Sequence, residues 1–277
     1  GRYHLQMPAN VAIRGAGAST FIDQYFSYTG IDPATGAPTG LVALTPKFSP
    51  DGETGNPKDV GYVAAKNLGS HYQDEIALGF EKALSKSLNV GAKVTYRVLK
   101  NTLEDFCDPR PIQNWAKKNG VATDKFDGTG KFAVNGPAWS CAIINPGKTN
   151  VFELDVDGDG KNERVVLTPQ DLAGGQSTRD GAAMPEASRK YLALDFFAEH
   201  PYDGKWYGRV NYTWSRSEGN TEGQLNSDLG QSDPAATVSY DFKELMEYAN
   251  GRLPNDRTHV IKAFGFYSLT SEVTVGA

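Results

Sequence analysis

The sequence lacks a long hydrophobic run and a strongly basic segment. Its mean hydropathy is −0.47, 39% of its 277 residues are hydrophobic, and no window approaches the roughly 20 apolar residues of a membrane-spanning helix. A formal net charge of −5 and a pI of about 5.5 argue against a nucleic-acid-binding groove. These features exclude a helical membrane protein and disfavour a nucleic acid as a partner.

Catalytic signatures are also missing. The four histidines are scattered, and the sequence contains no G-x-S-x-G elbow, no G-x-x-x-x-G-K phosphate loop and no H-E-x-x-H motif. The pair Gly15 and Gly17 lacks the third glycine of a nucleotide-binding loop and precedes no helix pattern. We therefore predict that the protein is not an enzyme and requires no cofactor.

Long stretches of alternating polar and apolar residues are what the sequence does contain. In one of them Val210 and Trp214 fall on one face, and Arg209 and Asn211 fall on the other. The stretches are 74–82, 88–100, 191–199 and 206–216. Soluble strands usually have about five or six residues, whereas a membrane-spanning strand needs roughly nine to eleven. The pattern favours a transmembrane β-barrel, although a half-solvated strand of a soluble sandwich has the same period.

The connections between these stretches alternate between short and very long. Residues 83–87 and 201–204 are short links, whereas 101–188 and 217–257 separate the other strands. Outer-membrane barrels have short periplasmic turns and long extracellular loops. We predict long extracellular loops at about 6–70, 102–187 and 218–256.

The polar face of the predicted strands indicates which residues would line an aqueous lumen. They are Lys93, Arg97, Asp195, Glu199, Arg209, Asn211 and Thr213. The alternative is that these side chains pair with one another or with another part of the protein. Neither possibility requires a catalytic role.

The number of strands predicts an incomplete barrel. The ends, 1–5 and 272–277, each resemble part of a strand, which gives about six to seven strands with those described above. The facing of 259–269 is ambiguous, because both alternating sets contain large apolar residues. Six or seven strands do not close into an even-numbered barrel. Their open edges would leave unpaired backbone groups in lipid, and each such group costs several kcal/mol. We expect the remaining strands to lie outside this sequence.

Cys107 and Cys141 are the two cysteines of the chain, and both fall in the loop after residue 100. An extracellular pair of this kind indicates a disulfide, and the alternative is two free thiols in a cytosolic protein. Closing the loop would restrict the unfolded chain by about 4 kcal/mol. That constraint suits a segment with no core of its own.

A D-x-D-x-D-G run in the same loop resembles the start of a calcium loop. The candidate ligands are Asp155, Asp157, Asp159, the carbonyl of Lys161, and Glu163. The twelfth position is Val166 rather than glutamate, and no flanking helices are indicated. The choice between a Ca²⁺ site and a plain acidic turn stays open.

Several segments resemble a known family. Residues 191–220, YLALDFFAEHPYDGKWYGRVNYTWSRSEGN, together with LPNDR at 253–257 and the following HVIKAFGFYSLT, are similar to the C-terminal half of the barrel in TonB-dependent receptors of the Oar-like branch. The upstream segments GRYHLQMPANVAIRG and SHYQDEIALGFEKAL resemble the preceding strands of the same family. The motifs are patterns of strands and loops rather than a catalytic signature.

The resemblance implies a fold, a location and a set of partners. The fold is an all-β antiparallel transmembrane barrel of 22 strands, in the outer membrane of a Gram-negative bacterium. Its partners are outer-membrane lipid, the rest of the barrel and its plug, the TonB complex and an unknown extracellular ligand. The plug lies outside this sequence, so the whole of 1–277 is expected to be a partial barrel domain.

The function implied is energised uptake of an unidentified substrate, to which this chain contributes strands and ligand-capturing loops. Two alternatives remain. One is an outer-membrane adhesion protein whose surface loop is stabilised by calcium. The other is a secreted, soluble calcium-binding β-sandwich, which would stay folded and monomeric without detergent or lipid.

Overall fold

A computed structural model describes residues 1–4, 24–45, 61, 63–122, 141–176, 181–230 and 234–277. In these ranges the chain is mostly antiparallel β-sheet with one α-helix, which confirms the all-β class in outline. None of the helices in this part of the chain has the length and hydropathy to cross a membrane. Much of the first predicted loop, with Gly15 and Gly17, lies outside the described residues.

The strands in the described ranges differ greatly in length. In chain order they are β1 Arg2–His4, β2 Phe26–Ser27, β3 Gly30–Ile31, β4 Pro38–Thr39, β5 Val42–Ala43, β6 Tyr72–Ser85, β7 Leu88–Lys100, β8 Glu104–Phe106, β9 Ala142–Ile144, β10 Asn150–Leu154, β11 Glu163–Leu167, β12 Arg189–His200, β13 Trp206–Gly219, β14 Gly251–Arg252, β15 His259–Ser268 and β16 Thr274–Gly276. Five of them, β6, β7, β12, β13 and β15, are long, and four of these contain the alternating stretches of the sequence.

The long strands form one antiparallel sheet. Its order is β1-β6-β7-β12-β13-β15-β16, with the short β14 also paired to β13. Seven strands along this path agree with the six to seven expected from the sequence. Within the described residues the sheet is open, because β1 and β16 each have one neighbour in it.

The connections follow the predicted alternation. Three short turns, 86–87, 201–205 and 269–273, lie at one end of the sheet, and the long connections lie at the other. In the second turn the Asp203 carboxylate accepts hydrogen bonds from the backbone nitrogens of Lys205, at 2.8 Å, and Trp206, at 3.0 Å. Gly204 follows Asp203 with a φ of 95°, a conformation that glycine adopts without strain.

The strand register separates an apolar face from a polar face. Leu194 lies opposite both Val94 and Trp214, and residues directly opposite each other in a sheet share a face. The same register shows which side chains of β15 lie on each face. Ile261 is opposite Tyr212 and therefore lies on the apolar face. Phe264 and Phe266 therefore lie on the polar face.

The long loops are not coreless, and that expectation was wrong. Parts of the two connections after β7 and β13 pack together with 63–70 around a common buried core, which we term the loop module (63–70, 101–122, 141–176, 181–188, 220–230 and 234–250). Its largest fully buried apolar side chains include Phe106, Ile112, Ile144, Phe152, Leu154, Leu167, Leu172 and Tyr240. The module thus has the hydrophobic stabilisation of a small domain.

The α-helix of the loop module, α1 (Arg110–Asn119), was not predicted. It has proline in its first turn and ends at Gly120, whose φ is 69°, and it buries Ile112 and Ala116. Both terminal residues are typical helix boundaries. Two short 3₁₀ turns, Val238–Tyr240 and Lys243–Met246, also belong to the module, and short 3₁₀ pieces of this kind are common connectors.

Candidate functional site: the polar face and the loop module

The polar face brings the seven predicted lumen residues together on β7, β12 and β13. Lys93 lies opposite Asp195, which lies opposite Thr213. Glu199 lies opposite Arg209 in a second row nearer the short turns. Asn211 lies opposite Phe197 in the row between these two. Arg97 lies opposite Tyr191, further toward the loop module.

Most of these charged residues pair with a neighbour. Lys93 Nζ lies 3.7 Å from Asp195, Arg209 Nη1 lies 3.0 Å from Glu199, and Arg97 forms an ion pair with Glu75 of β6. The pairing that the sequence left as an alternative is therefore present. That the same face lines a water-filled lumen stays a prediction.

A cavity of about 760 Å³ lies against the polar face. Its lining includes Arg257 and Lys262, neither of which was among the predicted lumen residues. Lys262 was missed because the facing of β15 was ambiguous in the sequence. The register places Lys262 opposite Asn211, and Lys262 therefore lies on the polar face.

Towards the short turns the polar face becomes aromatic. The ring centroids of Tyr207 and Phe266 are 5.4 Å apart, and the Arg209 guanidinium lies 4.0 Å from the centroid of the Phe197 ring. Such contacts stabilise a cation over an aromatic ring by about 0.5–2 kcal/mol. This end of the face therefore presents aromatic rings beside its charged side chains.

The predicted disulfide between Cys107 and Cys141 is present and spans 34 residues. It lies beside the pairing of β8 with β9, where Phe106 is opposite Ala142 and both are fully buried. The disulfide therefore links the two chain segments that form the centre of the module's core.

The acidic run forms the turn of the β10–β11 hairpin. Oxygen atoms of Asp155, Asp157 and Asp159 lie within 4.8 Å of one another, which suits a hard cation with oxygen ligands. The Asp155 carboxylate also accepts a hydrogen bond from the Gly160 nitrogen at 2.9 Å. Glu163 accepts one from the Val156 nitrogen at 2.8 Å, and Lys161 Nζ lies 3.6 Å from Asp159.

The turn geometry is that of a hairpin rather than of a helix–loop–helix unit. The structure groups three of the five predicted ligands and places Glu163 at the start of β11. Calcium binding by this turn stays a prediction.

An ion-pair network centred on Arg110 joins the two long loops. Arg110 donates to both oxygens of Asp108, at 2.8 Å, and to the Glu244 carboxylate, also at 2.8 Å. Asp108 is fully buried, and the Arg110 guanidinium lowers the pKa of the Glu244 carboxyl. Because Asp108 and Glu244 belong to different loops, Arg110 ties one to the other.

His71 lies buried just before β6, at the base of the loop module. Among the described residues neither ring nitrogen has a hydrogen-bond partner. Burial, with a smaller contribution from the charge of Arg189, lowers the pKa of His71 to about 4. The imidazole is therefore neutral at physiological pH.

One comparison with known proteins finds a partial similarity. The chain is 40% identical over 81 residues to the TonB-dependent transporter Oar of Myxococcus xanthus. The aligned residues make up 29% of this chain and 8% of that transporter, so the chain spans only a small part of the relative's length. No protein-family model and no solved structure matches the chain.

Proposed function

We propose that this chain is part of the β-barrel of a TonB-dependent receptor in the outer membrane of a Gram-negative bacterium. It supplies strands and ligand-capturing loops for the energised uptake of a substrate. Its partners are then outer-membrane lipid, the other strands and the plug of the same barrel, the TonB complex and an extracellular ligand. The role is binding and transport, without a catalytic step.

The observation that carries the proposal is the apolar face of the sheet. Ile76, Leu78 and Ile261 are 71–73% exposed on strands of ten or more residues. Soluble proteins rarely expose a contiguous apolar patch of more than a few hundred Å². Hydrocarbon on one face and water on the other account for this arrangement, and the partial similarity to a TonB-dependent transporter supports it.

The one-sided placement of the loops supports the same proposal. Short turns at one end and a folded module at the other are expected of a barrel with periplasmic turns and extracellular loops. The disulfide within the module suits an oxidising compartment. A module with its own core presents a defined surface to an extracellular ligand.

An outer-membrane adhesin is the second candidate, since the calcium-like turn and the disulfide would also stabilise a recognition surface. The complete coding sequence separates the two functions. A plug domain preceded by a short energising motif supports import, and its absence supports adhesion. Uptake that stops when the energising complex is disabled would establish transport.

The soluble sandwich is less favoured, because a sandwich buries the apolar face of one sheet against a second sheet. In the described part of the chain, Leu78 on that face remains 73% exposed. Membrane fractionation decides this point. Recovery of the full-length protein as a folded monomer without detergent would contradict the barrel proposal.

A further inference from the structure

A second cavity, of about 330 Å³, lies where the polar face meets the loop module. Its lining contains two guanidinium groups and no carboxylate. The lining residues are Gln73, Arg97, Arg189, Tyr191, Ser217 and Asn255. All of them carry hydrogen-bonding groups, and the hydroxyls and amides can donate alongside the two arginines.

The arginines are held in place differently. Arg97 pairs with Glu75 and lies 5.4 Å from the centroid of the Tyr191 ring. Arg189 is partly buried, and it donates to the backbone carbonyl of Glu222 and, at 3.1 Å, to the side chain of Gln73. Within the described ranges no carboxylate lies within 4 Å of Arg189. Its position is thus fixed by neutral acceptors, while its charge is not neutralised by an ion pair.

A row of small residues lies next to this cavity. The row of the polar face adjacent to Arg97 and Tyr191 consists of Ala77, Thr95, Ala193 and Ser215. Beyond that row lies the 760 Å³ cavity, which shares Tyr191 and Asn255 with the smaller one. Thr95, Ala193 and Ser215 of that row are buried, so the row separates two neighbouring cavities on the same face.

The lining of the two cavities contains more cations than carboxylates. The cations that line the two cavities are Lys93, Arg97, Arg189, Arg209, Arg257 and Lys262, and the carboxylates are Glu81 and Asp195. Glu75 and Glu199 offset Arg97 and Arg209 from the side. The charge of Glu222 also acts on Arg189. In the described part of the chain Arg257 and Lys262 have no carboxylate within ion-pair distance, so an excess of positive charge remains.

We propose that the smaller cavity binds an oxyanion, a carboxylate or a phosphate group of the ligand, between Arg97 and Arg189. Two guanidinium groups repel each other in a partly desolvated site, and an anion between them removes that repulsion. The planar fork of arginine matches either oxyanion with two parallel hydrogen bonds. The inference rests on the proposed function for the role of the anion as part of a transported ligand, and it narrows that ligand to an anionic class.

The first test measures binding of inorganic phosphate and of citrate to the full-length protein in detergent, at constant ionic strength. Arg189→Gln is expected to weaken binding of the preferred anion about tenfold or more, since it removes a charged donor. Arg189→Lys retains the charge without the planar fork of arginine. Its affinity for the anion should lie between those of the unaltered protein and Arg189→Gln. The matched control is Lys190→Gln, because Lys190 is the next residue on β12 and faces the other way. Tighter binding of phosphate would identify the ligand group as a phosphate, and tighter binding of citrate would identify it as a carboxylate.

The second test increases binding, so misfolding cannot produce the expected result. Glu75→Gln releases Arg97 from its ion pair and should tighten anion binding about two- to fivefold. Asp74→Asn is the control, because Asp74 is adjacent on β6, pairs with Arg2 at 2.7 Å and lies on the apolar face.

The inference is wrong if neither anion binds the unaltered protein. It is also wrong if Arg189→Gln binds as tightly as Lys190→Gln and Glu75→Gln no more tightly than Asp74→Asn. Lipid contact by the apolar face is measured separately. A negative binding result alongside positive lipid contact would therefore reject the anion site and leave the barrel proposal standing.

Discussion

Glu104 and Thr237, 133 residues apart, are joined by two hydrogen bonds in the core of the loop module. One oxygen of the Glu104 carboxyl accepts from the Thr237 nitrogen at 3.0 Å and from the Thr237 hydroxyl. Both residues are buried. The contact connects the loop after β7 with the loop after β13, and it explains why the two fold as one unit.

The first prediction concerns the pH dependence of the module. Burial raises the pKa of Glu104 to about 9, helped by the negative charges of Asp105 and Asp241, whereas the unfolded chain has a pKa near 4.5. At a pH between these two pKa values, the Glu104 carboxyl is protonated in the folded state and ionised in the unfolded state. The free energy of unfolding therefore falls as pH rises, by about 1.4 kcal/mol per pH unit for one proton.

The window from pH 7 to 9 isolates this effect, because His71 is neutral there in both states. Glu104→Gln should flatten the slope and raise stability at pH 8.5. The measurement is hydrogen exchange in 234–246, corrected for the intrinsic rate at each pH. Glu153→Gln, a partly exposed carboxyl of the same module, is the control, and an unchanged slope in Glu104→Gln would contradict the assignment.

The second prediction concerns Arg110. Arg110→Ala removes the partner of the fully buried Asp108, and an uncompensated buried charge costs about 3–5 kcal/mol. Urea unfolding of the module should show this loss. Lys148→Ala breaks the exposed pair with Glu186 and should cost about 1 kcal/mol or less. Equal effects of the two variants would show that Arg110 does not neutralise a buried charge on Asp108.

The sequence was sufficient for the parts of the fold that depend on period and spacing. Alternation placed Lys93, Asp195 and Arg209 correctly on one face, because side chains along a strand alternate by geometry. The short turns followed from the spacing of the alternating stretches, as at 201–204. These features involve residues that are neighbours in the chain.

The features that the sequence did not reveal depend on distant residues. The core of the loop module forms because Phe106 and Ile144 pack with Tyr240, and no local pattern relates segments so far apart. Arg189 was missed as a site residue because it starts its strand, before the alternating stretch becomes recognisable. Its role depends on Gln73, which lies 116 residues away.

The third prediction concerns the disulfide. Replacing Cys107 and Cys141 by serine should destabilise the module by about 2–5 kcal/mol and speed proteolysis within 101–188. The strands of the main sheet should keep their resistance, because they are held by their own ladder. Equal cleavage rates with and without the disulfide would show that the buried core alone holds the module together.

The fourth prediction concerns calcium. If the β10–β11 turn binds the ion, millimolar Ca²⁺ should protect 141–172 from protease, as expected for the weak sites of extracellular modules. Asp157→Asn should abolish the protection, since it removes a charged ligand. Protection that is absent, or that survives this substitution, would identify a plain acidic turn.

The most direct test of the account is the accessibility of spin labels on the two faces of the sheet in the full-length protein, reconstituted in lipid. Labels at Val94, Leu194 and Val210 are expected to collide with oxygen dissolved in the acyl chains. Labels at Asp195 and Asn211, on the opposite face, should instead be reached by a water-soluble relaxation agent or be buried. Labels at Val94, Leu194 and Val210 that report water or a dry protein core would contradict the barrel and the transporter proposal with it.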